Sequence, residues 1–169
     1  ELMTKDATIR EIHHRVKNNL QTVSALLRLQ SRRSDLESVQ AALKEAERRV
    51  QAIATVHEAL SQDVNEQVDF DDVARTIVRM AGTLASTDHA VDVTTSGEFG
   101  SLAAAQAQAM ATVLNELVSN SVEHGLADKD GLIQVHAQRN GDQLIVTVTD
   151  NGAGIQPGRA MTGLGTQIV

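Results

Sequence analysis

Two groups of residues in this 169-residue chain have the types and spacing to do chemistry. The first is Glu11-Ile12-His13-His14-Arg15-Val16-Lys17-Asn18-Asn19-Leu20-Gln21, which sets two imidazoles and two amides inside a run without Gly or Pro. An exposed imidazole can serve as nucleophile, base or metal ligand. The second group comprises Glu116 and Asn120, then Asp150-Asn151-Gly152-Ala153-Gly154, then Gly163-Leu164-Gly165-Thr166. A carboxylate and an amide four residues apart share a helix face and suit a hydrated Mg²⁺, which prefers oxygen ligands and keeps most of its waters. An ordinary polar helix face shows the same pair. An aspartate at a strand end can accept from the amino group of adenine, and glycines beside it let backbone come close to a ligand. A Gly-x-Gly that opens a helix places free N–H groups near phosphates. Each is a common pattern alone; in this order they specify an ATP site.

The first group needs a helix to present it. At about 100° per residue, Ile9, Ile12, Val16, Leu20, Val23 and Leu27 fall within one apolar sector of a helix expected over Met3 to Arg33. His13 lies at the edge of that sector and is expected to pack. His14 lies on the far side, with Glu11 and Asn18 about one turn away on either side. Adjacent helical positions diverge, and no Cys or further His stands at ligand spacing, so metal binding at the pair is disfavoured. Ser34-Asp35 offers a turn and an N-cap for a second helix, which Leu36, Val39, Leu43, Val50, Ile53, Val56 and Leu60 carry to about Ser61. Two such helices make an antiparallel hairpin whose apolar stripe calls for a second copy, hence a homodimer built as a four-helix bundle.

The second group requires a different scaffold. Residues 63–69 read as a polar linker. A helix is expected over Asp71–Leu84, capped by Asp71 or Asp72, then a strand over Val91–Thr95 and a helix from Leu102 to about His124. Strands Leu132–Arg139 and Gln143–Thr149 should join across Asn140-Gly141. Helices on a sheet containing this hairpin suggest a two-layer α+β sandwich. The expected fold class is thus α + α/β: a hairpin domain over residues 1–62 and an ATP-binding sandwich over 68–169.

Composition narrows the alternatives. Phe70 and Phe99 are the only aromatics and the net charge is −7, which argues against a base-stacking nucleic-acid surface. The charge is uneven, with seven Lys/Arg against three Asp/Glu among residues 1–33. Lys17, Arg28, Arg32 and Arg33 read as a solvated face or as a docking site for an acidic partner. Without cysteine there are no disulfides or thiolate zinc sites. No long apolar run or signal-peptide pattern is present, so the segment reads as soluble. Both ends look cut from a longer protein. His57, His89 and His136 show no constellation.

The order of Glu116/Asn120, Asp150-x-Gly152-x-Gly154 and Gly163-x-Gly165 resembles the ATP-binding domain shared by gyrase, Hsp90, MutL and the sensor histidine kinases. His14-Arg15-Val16-Lys17-Asn18 resembles the H-box of bacterial two-component histidine kinases, in the branch related to the HWE kinases, whose H-box reads His-Arg-x-Lys-Asn. The resemblance implies a cytoplasmic, dimeric kinase that uses ATP and Mg²⁺ and passes phosphate to the aspartate of a response-regulator receiver domain. It makes His14 the phosphoacceptor, Asn120 the Mg²⁺ ligand, Glu116 the residue orienting its water shell, and Asp150 the adenine partner framed by Gly152 and Gly154. Gly163 and Gly165 would close the nucleotide lid, and Asn18 could position a water for dephosphorylating the regulator.

The sequence departs from the commoner kinases in four places. Arg15 stands where a glutamate base often follows the acceptor, leaving Glu11 as a substitute. Glu123 stands where a basic residue is usual, leaving His124 as the nearest phosphate contact. The lid between Ile155 and Gly163 is short, and the domain's last helix and strands are absent after Val169. These departures keep open a catalytically silent signalling scaffold. A gyrase-like ATPase or an anti-sigma-type serine kinase is a weaker rival, because it leaves the first helices unexplained.

Overall fold

Small residues where α1 meets α2, and alternating aliphatics in the sheet, set the two halves of the chain apart. The computed structural model describes residues 2–61, 67–84, 89–126 and 129–154. They form two units: Glu1–Asp69 with Ser101–Thr112, and Phe70–Gly100 with Val113–Val169.

In the first unit α1 (Leu2–Arg33) and α2 (Glu37–Leu60) form the expected hairpin. The single apolar sector expected for α1 divides in two. Ser24 and Ser31 are buried, and His13, Val16, Lys17, Leu20 and Leu27 are half-buried beside them. Ile12, Val23, Leu26 and Leu29 stay exposed on a separate stripe. Small side chains let two helices approach closely, and Ser31 Oγ donates to the Gln40 carbonyl of α2 at 3.3 Å. Lys17 and Arg28, expected on a solvated face, instead bond across the hairpin to Glu58 at 2.8 Å and Glu47 at 2.5 Å. The N-cap of α2 is Leu36, in extended conformation and without a side-chain cap. Ser34 shapes the turn instead: its hydroxyl accepts the Leu36 N–H at 3.3 Å and its carbonyl accepts the Gln40 amide at 2.6 Å.

Two three-residue strands escaped sequence reading. β1 (Gln67–Asp69) lies in the supposed linker, and β3 (Ser101–Ala103) lies in what reads as the start of a helix; they pair antiparallel, with Val68 opposite Leu102. From β3 the chain enters α4 (Ala104–Asn120).

The second unit holds α3 (Phe70–Leu84), β2 (Val91–Gly97), β4 (Gly131–Asn140) and β5 (Gln143–Asp150), with sheet order β2-β4-β5. β2 runs parallel to β4, with the crossover through α4, and β4 runs antiparallel to β5. Ile133, Val135 and Ala137 are buried while Gln134, His136 and Gln138 are exposed, the alternation of a sheet covered on one face. The architecture is therefore the helical hairpin plus α+β layers that the sequence leads one to expect. The β4–β5 turn falls one residue later than Asn140-Gly141: Asn140 pairs with Gln143, so Gly141 and Asp142 make the loop. Gly141, at φ 65, supplies the positive dihedral at its first position. Among the described residues no helix is long and apolar enough to cross a membrane.

Asp71, expected to cap α3, latches the segment after β2. Its two carboxylate oxygens accept the N–H groups of Phe99 at 2.9 Å and Gly100 at 2.8 Å. Phe99 is buried and packs its ring 5.5 Å from that of Phe70. Asp71→Ala strands both donors and should lower the unfolding free energy by about 2 kcal/mol, with Asp71→Asn intermediate, as read by urea denaturation.

Candidate active site

α4 delivers polar groups in its last turns. Asn115, Glu116 and Ser119 are buried and Asn120 is exposed. The helix then widens into a π-helical turn, Ser121–Gly125, in which the Leu126 N–H reaches five residues back to the Ser121 carbonyl at 2.9 Å. Such turns often mark functional sites. This one aims the Gly125 carbonyl at the end of β5, where it accepts the Ala153 N–H at 3.0 Å.

The approach there leaves no room for a side chain. A Cβ on Gly125 would lie 2.9 Å from the Asp150 carboxyl carbon, and a Cβ on Gly152 would lie 1.9 Å from the Gly125 oxygen. Asp150 Oδ1 accepts the Gly152 N–H at 3.0 Å, and its other oxygen carries no hydrogen bond among the described residues. Asn151 holds the segment to β4, its side chain accepting the Leu132 N–H at 2.8 Å while its own N–H donates to the Leu132 carbonyl at 3.2 Å. The end of the Glu116/Asn120 helix and the Asp150–Gly154 segment are thereby brought together. Gly154, at φ 69, has no described residue crowding its Cβ position. Gly163 and Gly165 lie outside the described residues.

The donor set matches a magnesium nucleotide. Glu116 is a buried carboxylate, Asn120 offers an exposed amide, and between them the Ser119 hydroxyl is buried with no hydrogen-bond partner. All are hard oxygen donors, as Mg²⁺ requires. Asp150 supplies an acceptor suited to an amino group. Glu123 and His124 are both exposed on the π-helical turn.

The imidazoles of α1 separate as helical phase requires: His14 is exposed and His13 half-buried. His14 has no hydrogen bond among the described residues. Glu11 is bonded to Arg15 rather than to His14, with Arg15 Nε donating to its Oε1 at 2.8 Å. The Arg15 hydrogen bond first, and its charge second, hold the Glu11 carboxyl below the usual value of 4.5. A carboxylate so stabilised is a weaker base. Asn18 is exposed, and its backbone carbonyl accepts the Thr22 hydroxyl at 3.1 Å.

Sequence reading missed the partner of His13. His13 Nδ1 lies 3.0 Å from His57 Nδ1, and His57 Nε2 lies 3.2 Å from the Gln108 side-chain nitrogen as placed. The phase of α2 was the available signal, because His57 follows Ile53 by four residues and Val50 by seven, on the face turned inward. His136 bonds Ser96 Oγ at 2.9 Å on the exposed face of the sheet, and His89 lies 3.8 Å from Asp130.

Comparison with known proteins agrees with this arrangement. Residues 11–85 match the family described as histidine kinase, and residues 105–168 match the histidine kinase-, DNA gyrase B- and HSP90-like ATPases. The chain belongs to the bacterial sensor histidine kinases. It is 46% identical, over 99% of its length, to the sensor histidine kinase PdtaS of Mycobacterium tuberculosis, and 26% identical, over 89% of its length, to the blue-light-activated histidine kinase 2 of Erythrobacter litoralis. It spans 34% and 44% of those two relatives. A solved blue-light activated histidine kinase from Erythrobacter litoralis shares the fold, with TM-score 0.64 and 22% identity over 99% of this chain and 51% of that one.

Gly152→Ala should separate Gly125 from the β5 end and weaken ATP binding by about tenfold or more, where tenfold is about 1.4 kcal/mol. Gly154→Ala meets no neighbour among the described residues and should cost only about 1 kcal/mol of backbone strain. Calorimetric titration of each variant with Mg-ATP, beside its thermal melt, checks the contrast.

Proposed function

We propose that this chain is the kinase core of a two-component system, with a dimerisation and phosphotransfer hairpin over residues 1–62 and a catalytic domain over 68–169. His14 takes the γ-phosphoryl group of ATP. The observation that carries this reading is the exposed imidazole of His14, without a hydrogen bond among the described residues, in a chain whose Asp150, Gly152 and Gly125 meet at a corner suited to a nucleotide.

In the reaction, the lone-pair nitrogen of His14 attacks the γ-phosphorus, the bond to the β-phosphate oxygen breaks, and ADP leaves. The proton on the other ring nitrogen passes to a base or to water, giving a phosphoramidate whose ring is neutral and whose phosphoryl oxygens keep their negative charge. A carboxylate oxygen of the regulator's receiver domain then attacks that phosphorus and His14 is regenerated. Asp150 accepts from the adenine amino group, and His124 contacts the phosphates. Mg²⁺ held by Asn120, with Glu116 orienting its waters, would neutralise charge on the triphosphate oxygens. Gly163 and Gly165 would line the lid, and Asn18 would place a water for the reverse, phosphatase reaction. Glu11 is the nearest carboxylate to act as base, and its bond to Arg15 must open for it to do so.

Two copies complete the molecule in this reading. The exposed stripe of Ile12, Val23, Leu26 and Leu29, with Leu36 and Val39 at the hairpin's end, is an apolar face of the kind a second hairpin covers. A cytoplasmic location follows from the ATP and regulator it would use.

Incubating the full-length protein with γ-labelled ATP and Mg²⁺ should give an acid-labile, base-stable label that disappears in His14→Gln and persists in His13→Gln. Loss in His13→Gln alone would move the acceptor, and phosphate on serine would indicate an anti-sigma-type kinase. Absence of any label, with ATP still bound, would mark a signalling scaffold. Asp150→Asn should weaken ATP binding by about tenfold to a hundredfold, since it replaces a charged acceptor for the base. Its binding isotherm would show this directly.

A further inference from the structure

The contact between His13 and His57 lies one residue before the acceptor. With Nδ1 to Nδ1 at 3.0 Å and ring centroids 5.3 Å apart, the two imidazoles can share only one proton along that line. One ring must donate and the other accept. Two N–H groups facing each other at this distance repel. The pair ties α1 to α2, and the far nitrogen of His57 reaches Gln108 of α4, whose amide can turn to suit either tautomer.

We propose that His13 and His57 are positioning residues for phosphotransfer: their shared proton locks the rotation of α1 against α2 beside His14, and protonation of both rings releases it. The proposal rests on reading His14 as the acceptor. Successive helical residues point about 100° apart, so a rotation of α1 that opens the pair also swings His14. One turn along, Lys17 and Glu58 bond at 2.8 Å and neutralise each other. Among the described residues, those two, the exposed His14 and Arg10 and the Glu11–Arg15 pair are the charged or titratable groups within about one turn of the contact on α1 and α2, and Gln108 from α4 is neutral.

The sign of the pH effect follows. Burial first, and the neighbouring His13 second, push the His57 imidazole below its ordinary value of 6.5. The folded hairpin therefore binds fewer protons than the unfolded chain on the acid side of that value. The contribution is fully present above pH 6.5 and is lost as pH falls through the lower, folded value of His57.

The test follows imidazole nitrogen resonances of the whole chain through an NMR pH titration, alongside initial autophosphorylation rates between about pH 8 and about pH 5.5. The His57 inflection should lie below 6.5 and rise toward it in His13→Gln, and the acid limb of the rate profile should be steeper in the parent than in His57→Gln, which retains amide hydrogen bonding without a titrating ring. A parental thermal melt of His57→Gln at about pH 8 would exclude simple misfolding as the cause. A His57 titration indifferent to His13→Gln, or superimposable rate profiles, would overturn the proposal. The titration does not involve His14 chemistry, so failure of the acceptor assignment would appear separately, as label surviving in His14→Gln.

Discussion

No side chain fits between the π-helical turn after α4 and the end of β5, and the second unit depends on that fact. The Gly125 carbonyl bonds the Ala153 N–H, while the space a Cβ would need is occupied from both sides. Because backbone meets backbone there, Asp150 is held against the π-helical turn that follows the helix carrying Glu116 and Asn120. The strand end that carries Asp150 thus meets the turn at Gly125 without a flexible side chain to span the gap. The sheet register and the Asn151 bonds to Leu132 keep the strand end in place.

The hairpin differs in holding the His14 imidazole out. It does so by spending its neighbours. Arg15 occupies Glu11, Lys17 occupies Glu58, and His57 occupies His13, so the groups adjacent to His14 are already bonded to one another. The small residues Ser24 and Ser31 allow close contact inside the hairpin, which turns the larger aliphatics outward. The same choice that packs α1 on α2 thus leaves an apolar stripe uncovered.

Long periodic helices, alternating strands and the glycine-marked strand end were legible in the sequence, because each follows from spacing within a few residues. What was not legible depended on distant partners. β1 and β3 are three residues each and exist only through their pairing. Asp71 reads as a cap until Phe99 and Gly100 are seen to donate to it. The division of the α1 sector needed α2, and the placement of His57 needed both α1 and α4. The π-helical turn has no composition signal, since Ser-Val-Glu-His-Gly would continue an α-helix equally well up to its glycine. Of the candidate residues, Asp150 and Gly152 meet at Gly125, a residue the sequence did not single out, while Glu11 is turned to Arg15.

That π-helical turn also limits how the chain tolerates changes of length. It holds one residue more between hydrogen-bonded partners than the α-helix before it. Deleting any one of its residues would restore ordinary pitch and rotate whatever follows by about 100°, carrying Gly125 off Ala153. A splice that exchanges segments between related kinases is therefore best kept outside Ser121–Gly125.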